Sequence, residues 1–207
     1  MGIFAKPQET QTDNQFGVKV LFLHGLEGSP SGSKSQHMQS VWGALVPHLR
    51  TTSLVNLRDK CKGVWSTVDQ EEIAESLEDV YNDAVDAIQY CKPDIVVGSS
   101  MGGALLYKMY ADGLYTGLGV FLAPAISQLL SEEDIRKGHR VIKDTPTCWV
   151  LGETDTVVPN RPNVQMAKKC EGNLFFSPDD GHRLHKAVSS GLLDSAILTV
   201  IEMSETY

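Results

Sequence analysis

Gly98-Ser99-Ser100-Met101-Gly102 sets a serine between two glycines, directly after the apolar run Ile95-Val96-Val97. A strand that turns at once into a helix forces its central residue into a strained backbone, and the flanking glycines leave room for the turn. Such a turn holds the Ser100 hydroxyl clear of the strand, with the Met101 amide at the helix N-terminus facing a developing oxyanion. Asp155 follows the apolar run Cys148-Trp149-Val150-Leu151, within Gly152-Glu153-Thr154-Asp155. His182 comes later still, in Ser177-Pro178-Asp179-Asp180-Gly181-His182. A serine nucleophile, an imidazole to take its proton and a carboxylate to fix the imidazole tautomer are the parts that acyl transfer requires. His24-Gly25-Leu26, at the end of the first apolar run, offers the Leu26 amide as a second oxyanion donor.

Each of these residues also has a plainer role open to it. Glycines around a serine can serve a tight loop or a phosphate-binding turn. The spacing here does not match G-x-G-x-x-G, however, and no acidic residue ends a following strand as a dinucleotide site would require. Asp155 can bond its own backbone in a turn, His24 can bond locally at a strand end, and a lone histidine such as His182 commonly sits on the surface. The rivals are Ser99, which lacks a glycine on each side, Glu153, which is nearer its strand, and His185, which is placed to open the last helix. Chain order favours Ser100, Asp155 and His182, because in an open parallel sheet functional residues gather where strands end.

The elements that would position them alternate regularly. Apolar runs at 18–23, 95–97, 119–122, 147–151 and 173–176 read as strands, and 52–57 reads as another. Between them, helices are expected over 36–49, 69–91, 101–110, 131–138, 163–170 and 186–203. The clearest is 69–91, where Ile73, Leu77, Val80, Ala84 and Ile88 recur on one helical face. Thr67 with Gln70, or Asp69 with Glu72, would cap its start, and Lys92-Pro93 closes it. This alternation implies an α/β fold, a doubly wound, mostly parallel sheet in a three-layer sandwich. Residues 18–207 form one domain in this reading, with a polar tail over 1–17 and at most a small cap over 126–144.

Composition narrows the partners. The 207 residues carry 18 Lys and Arg against 26 Asp and Glu, a net charge of −8 that repels phosphate backbones, so nucleic acid is not expected. Four scattered cysteines (Cys61, Cys91, Cys148 and Cys170) form no C-x-x-C pair and read as reduced thiols rather than a disulfide framework or a metal site. The polar tail has no signal-peptide run, and Lys6 breaks the myristoylation pattern that Met1-Gly2 begins. With no bilayer-length apolar segment either, the expected location is cytoplasmic.

Strand-H-G, G-x-S-x-G, G-x-x-D-x-x-V-P and G-H, in this order from about Val18 to Met203, resemble the α/β-hydrolase superfamily. The loop His24-Gly25-Leu26-Glu27-Gly28-Ser29-Pro30 with Ser33 and Lys34 is similar to that of the small YqiA-like esterases, H-G-φ-x-S-S-P-x-S-x-K. Gly28 replaces a serine of that pattern. The resemblance implies a minimal fold without the superfamily's antiparallel opening strands, and hydrolysis of small esters or thioesters with no cofactor or metal. The alternative is a relative that kept the fold as a binding module. Any flap over the site would come from Leu129, Leu130 and Ile135, too little for a lipase lid.

Overall fold

The computed structural model describes residues 14–205. Its apolar runs become β1 (Val20–Leu23), β2 (Ile95–Ser99), β3 (Leu118–Leu122), β4 (Thr147–Gly152) and β5 (Asn173–Ser177), which pair in chain order, all parallel, in one sheet. Strands covered on both faces need apolar residues at every position rather than at alternate ones. In β1 all four residues are buried. Alternate side chains feed two cores: Leu21, Leu23, Val96, Phe121 and Trp149 point into one, and Val20, Phe22, Val97, Val120 and Val150 into the other.

Helices cover both. The first core lies under α2 (Thr52–Lys60), α3 (Gln70–Cys91), α4 (Met101–Ala111), α5 (Ile126–Leu129), α6 (Glu132–Ile142) and α7 (Asn160–Lys169). The second lies under α1 (Ser33–Trp42), α8 (His185–Ser189) and α9 (Leu192–Glu205). The result is the expected three-layer α/β sandwich, and among the described residues its sheet has no antiparallel strand. Helix α3 buries the face read from its periodicity. Its capping box does not form, because Asp69 makes no side-chain cap and Glu72 pairs instead with Lys60 of α2.

Three elements depart most from the sequence reading. The expected strand 52–57 is helix α2, whose buried Leu54 and Leu57 stand three residues apart, a helical rather than a strand spacing. The expected helix 36–49 stops at Trp42, where Gly43 takes a left-handed backbone (φ 59°) and receives the chain end as a C-cap. The residues beyond it run beside β1: Leu45 accepts from Phe22 and donates to Val20, a single parallel bridge at the sheet edge. The expected helix 186–203 is α8 and α9, separated at Gly191 (φ 78°).

Residues 1–13 of the polar tail lie outside the described residues. Its last part is docked: the Asn14 amide donates to the carbonyls of Val18 and Trp42, and Phe16 stacks on Trp42 with ring centroids 5.1 Å apart. In the stretch expected to form a cap, α6 packs on α4, where Gly138 lies against the Tyr107 ring and Tyr107 donates to the Ile135 carbonyl. Leu130 and Ile135 join the core, so of the three flap residues Leu129 alone reaches the cleft described below. Among the described residues no helix is long and apolar enough to cross a membrane.

Candidate active site

Ser100 occupies the junction between β2 and α4 with φ 55° and ψ −113°, a backbone that costs on the order of 1–3 kcal/mol for a non-glycine residue. Main-chain bonds hold it there. Its amide donates to Leu122 of β3 (2.8 Å), and its carbonyl accepts from Gly103, Ala104 and Ala125. The glycines of the motif permit the turn by close approach. A Cβ on Gly98 would lie 2.5 Å from the Gly102 carbonyl oxygen, and one on Gly102 would lie 2.0 Å from that of Leu23. Ser99, the local rival, is buried as the last residue of β2.

The acid and the histidine arrive on two turns packed backbone to backbone. A Cβ on Gly152 would meet the carbonyl oxygens of Gly181 and Asp180 at 2.5 and 2.6 Å. The Thr154 amide and hydroxyl both donate to the Asp180 carbonyl at 2.9 Å, and the Asn160 side chain donates to that of Gly152. Asp180, buried itself, accepts from the Ser177 hydroxyl and the Ala187 amide. Sequence reasoning did not single out these clamps. Asp180 adjoins the G-H motif and Thr154 adjoins Asp155, but a short polar residue in a turn carries no further signal by itself.

Those turns bring the three residues into one chain of hydrogen bonds. His182 Nδ1 lies 2.8 Å from Asp155 Oδ2, and His182 Nε2 lies 2.8 Å from Ser100 Oγ. The Asp155 side chain is fully buried. Burial opposes its ionisation, but the hydrogen bond from His182 and those from the amides of Val158 and Val157 outweigh it, and its pKa falls below the ordinary carboxylate value. A carboxylate only accepts, so the imidazole proton sits on Nδ1, and bare Nε2 accepts from the Ser100 hydroxyl. The rivals stand apart: Glu153 is exposed and accepts from the Asp179 amide, while His185 is exposed at the start of α8.

Gly25 packs directly on the serine, close enough that a Cβ there would lie 3.2 Å from Ser100 Cβ. This places the strand-end loop that carries the Leu26 amide beside the Ser100 hydroxyl. The Met101 amide opens α4 on the other side, and as a first-turn amide it has no acceptor within the helix. His24 is a local fastener. Its Nδ1 donates to the Gly25 carbonyl (2.9 Å), which also receives the Gly28 amide, and burial lowers the pKa of the ring. Gly28 belongs to that turn: a Cβ there would come 2.9 Å from His24 Cβ, so the serine of the resembled loop would crowd this one.

Above Ser100 opens a cleft of about 480 Å³. Leu26, Trp65, Met101, Leu129, Val157 and Val158 give it an apolar side. Ser33, Lys34, Arg58 and Arg183 give it a polar one, and Glu27 pairs there with both arginines. None of the described residues forms a His, Cys, Asp or Glu cluster able to hold a metal ion.

No family model matches the sequence, and no curated protein matches it. Solved structures do. A protein from Xanthomonas campestris pv. campestris, described as a hydrolase of the alpha/beta superfamily, superposes with a TM-score of 0.60 at 18% identity, covering 92% of this chain and 99% of its own. Est1E from Butyrivibrio proteoclasticus, solved with ferulic acid, gives a TM-score of 0.62 at 14% identity over 95% and 93% of the two chains. The thioesterase domain from the curacin biosynthetic pathway gives 0.55 at 13% identity over 91% and 92%. Identities this low speak for architecture alone. On the agreement of its parallel sheet and flanking helices with these structures over nearly its whole length, the chain has the α/β-hydrolase fold.

Proposed function

We propose that this protein is a serine hydrolase that cleaves small carboxylic esters or thioesters through an acyl-enzyme intermediate. The observation that carries the reading is the unbroken hydrogen-bond chain from Asp155 through His182 to Ser100, with both links at 2.8 Å. Ser100 Oγ attacks the substrate carbonyl carbon while its proton passes to His182 Nε2. The carbonyl oxygen, now anionic, sits between the amides of Leu26 and Met101. His182 then returns the proton to the leaving alkoxide or thiolate as its bond to carbon breaks. Water repeats the sequence on the acyl-serine, losing a proton to His182 and releasing the carboxylic acid. Asp155 stays ionised and stabilises the imidazolium that forms at each step.

A fluorophosphonate probe tests this reading, because it phosphonylates only a serine that is already activated. The label is expected on the peptide containing Ser100, with release of p-nitrophenol from short p-nitrophenyl esters. A protein inert to both would be a binding module on a hydrolase fold.

Substrate size follows from the cleft. Its apolar lining includes Met101, Leu129 and Val157, the last of them 58% exposed. An acyl chain therefore leaves the dry wall after a few carbons. Each methylene inside it is worth roughly 0.8 kcal/mol, about fourfold in kcat/KM, and each one beyond it nothing. Across acetyl to palmitoyl esters, kcat/KM is expected to climb over the first few carbons and then level. A steady rise to the longest chain would require a deep channel and would sink the short-chain expectation.

A further inference from the structure

Lys34, in the first turn of α1, is half-buried in the wall of the cleft and has no part in the chemistry just described. Its ammonium donates to the main-chain carbonyl of Arg183, the residue next to His182, at 2.8 Å. The fold gains little by putting a cation there. A positive charge in the first turn meets the positive end of the helix dipole. Burial pushes the lysine pKa down to about 8; Asp180 and Asp155 pull against that shift and Arg183 adds to it. A methionine of similar length would avoid both penalties.

What the ammonium holds is a loop that needs holding. His182 lies between two non-glycine residues with left-handed backbones, Asp179 (φ 49°) and Leu184 (φ 50°). The upstream side is clamped through Asp180 by Thr154, Ser177 and Ala187. Downstream, the Arg183 side chain is 73% exposed and touches Glu27 only at 3.4 Å, whereas its main chain is tied to the first turn of α1 by Lys34. Proton transfer tolerates little drift of the imidazole, and a misplacement of about 1 Å can cost on the order of 100-fold.

We propose that Lys34 is a positioning residue: by clamping the Arg183 carbonyl from the first turn of α1, it keeps the His182 imidazole in line with Ser100 and Asp155 through turnover. This rests on the hydrolase reading above. The deciding experiment compares wild type, Lys34→Met, and Lys34→Cys before and after aminoethylation, which rebuilds a lysine-like ammonium. Wild type treated with the same reagent controls for the native cysteines. Lys34→Met is expected to lose about 10- to 100-fold in kcat with KM changed by less than about threefold, and to melt no lower than wild type. Aminoethylated Lys34→Cys, its modification confirmed by mass, is expected to recover most of the kcat. If wild type is itself inert to ester and fluorophosphonate, the hydrolase reading falls and this inference with it. If wild type is active, the positioning role alone is overturned by any of three results: Lys34→Met at full kcat, a kcat loss that comes with a lowered Tm, or no recovery on aminoethylation.

Discussion

Ser100→Ala is expected to leave a folded protein with the same Tm and ester turnover lower by ~10⁴-fold or more. Main-chain bonds to Leu122, Gly103, Ala104 and Ala125 hold the turn, and all of them survive the substitution. Among the described residues the hydroxyl bonds to His182 Nε2 alone, so its loss removes the nucleophile without opening a cavity of consequence. Residual turnover would come from the amides of Leu26 and Met101 and from binding. Ser99→Ala is the control, since that side chain is buried at the end of β2 and lies outside the hydrogen-bond chain. Steady-state kinetics on both variants decide the register of the turn: an inactive Ser99→Ala beside an active Ser100→Ala would move the nucleophile by one residue.

Asp155→Asn should approach the same loss, ~10⁴-fold, for a reason that the geometry makes specific. Asp155 Oδ1 accepts from the amides of Val157 and Val158, both at 2.9 Å, and Oδ2 faces His182 Nδ1. In the variant those two amides can be satisfied only by the asparagine oxygen, which turns its NH₂ toward His182. Nδ1 must then be bare, the ring proton moves to Nε2, and the imidazole can no longer accept from Ser100. Burial and shape are unchanged, so Tm should fall modestly while kcat collapses. Near-normal kcat would assign the role to another carboxylate, and Glu153 would be the next to test.

Much of the fold could be read from the sequence because it rests on repetition. The run Ile73, Leu77, Val80, Ala84 and Ile88 needs a helix of that length wherever it lies, and strands buried on both faces leave unbroken apolar runs. The Ser100, Asp155 and His182 positions were legible for a different reason: each follows a strand, and a parallel sheet sends all its strand ends to one edge. Short elements without periodicity were not legible. Thr52-Ser53-Leu54-Val55 looks like a strand by side-chain type, but helix α2 forms because Leu54 and Leu57 pack on α3. The edge segment at Leu45 hides behind Pro47, with only the burial of Ala44 and Val46 two residues apart to betray it. Lys34 is visible as a letter in a motif, whereas its bond spans two segments far apart in the chain and leaves no local trace.

The approach of Gly102 to the Leu23 carbonyl, too close to admit even a methyl group, has a consequence for how this site can vary. One proposed oxyanion donor, Met101, belongs to the helix; the other, Leu26, belongs to the loop that continues β1. At Gly102, next to Met101, backbone meets the backbone of Leu23 and His24 at the end of β1, with no side chain of its own to widen or narrow that contact. The spacing of the two amides is thus a dimension of the architecture, inherited with the sheet. Change can reshape the walls of the cleft at Trp65, Leu129 or Val157 and redirect what binds, while the gauge against which a carbonyl oxygen is measured stays the same.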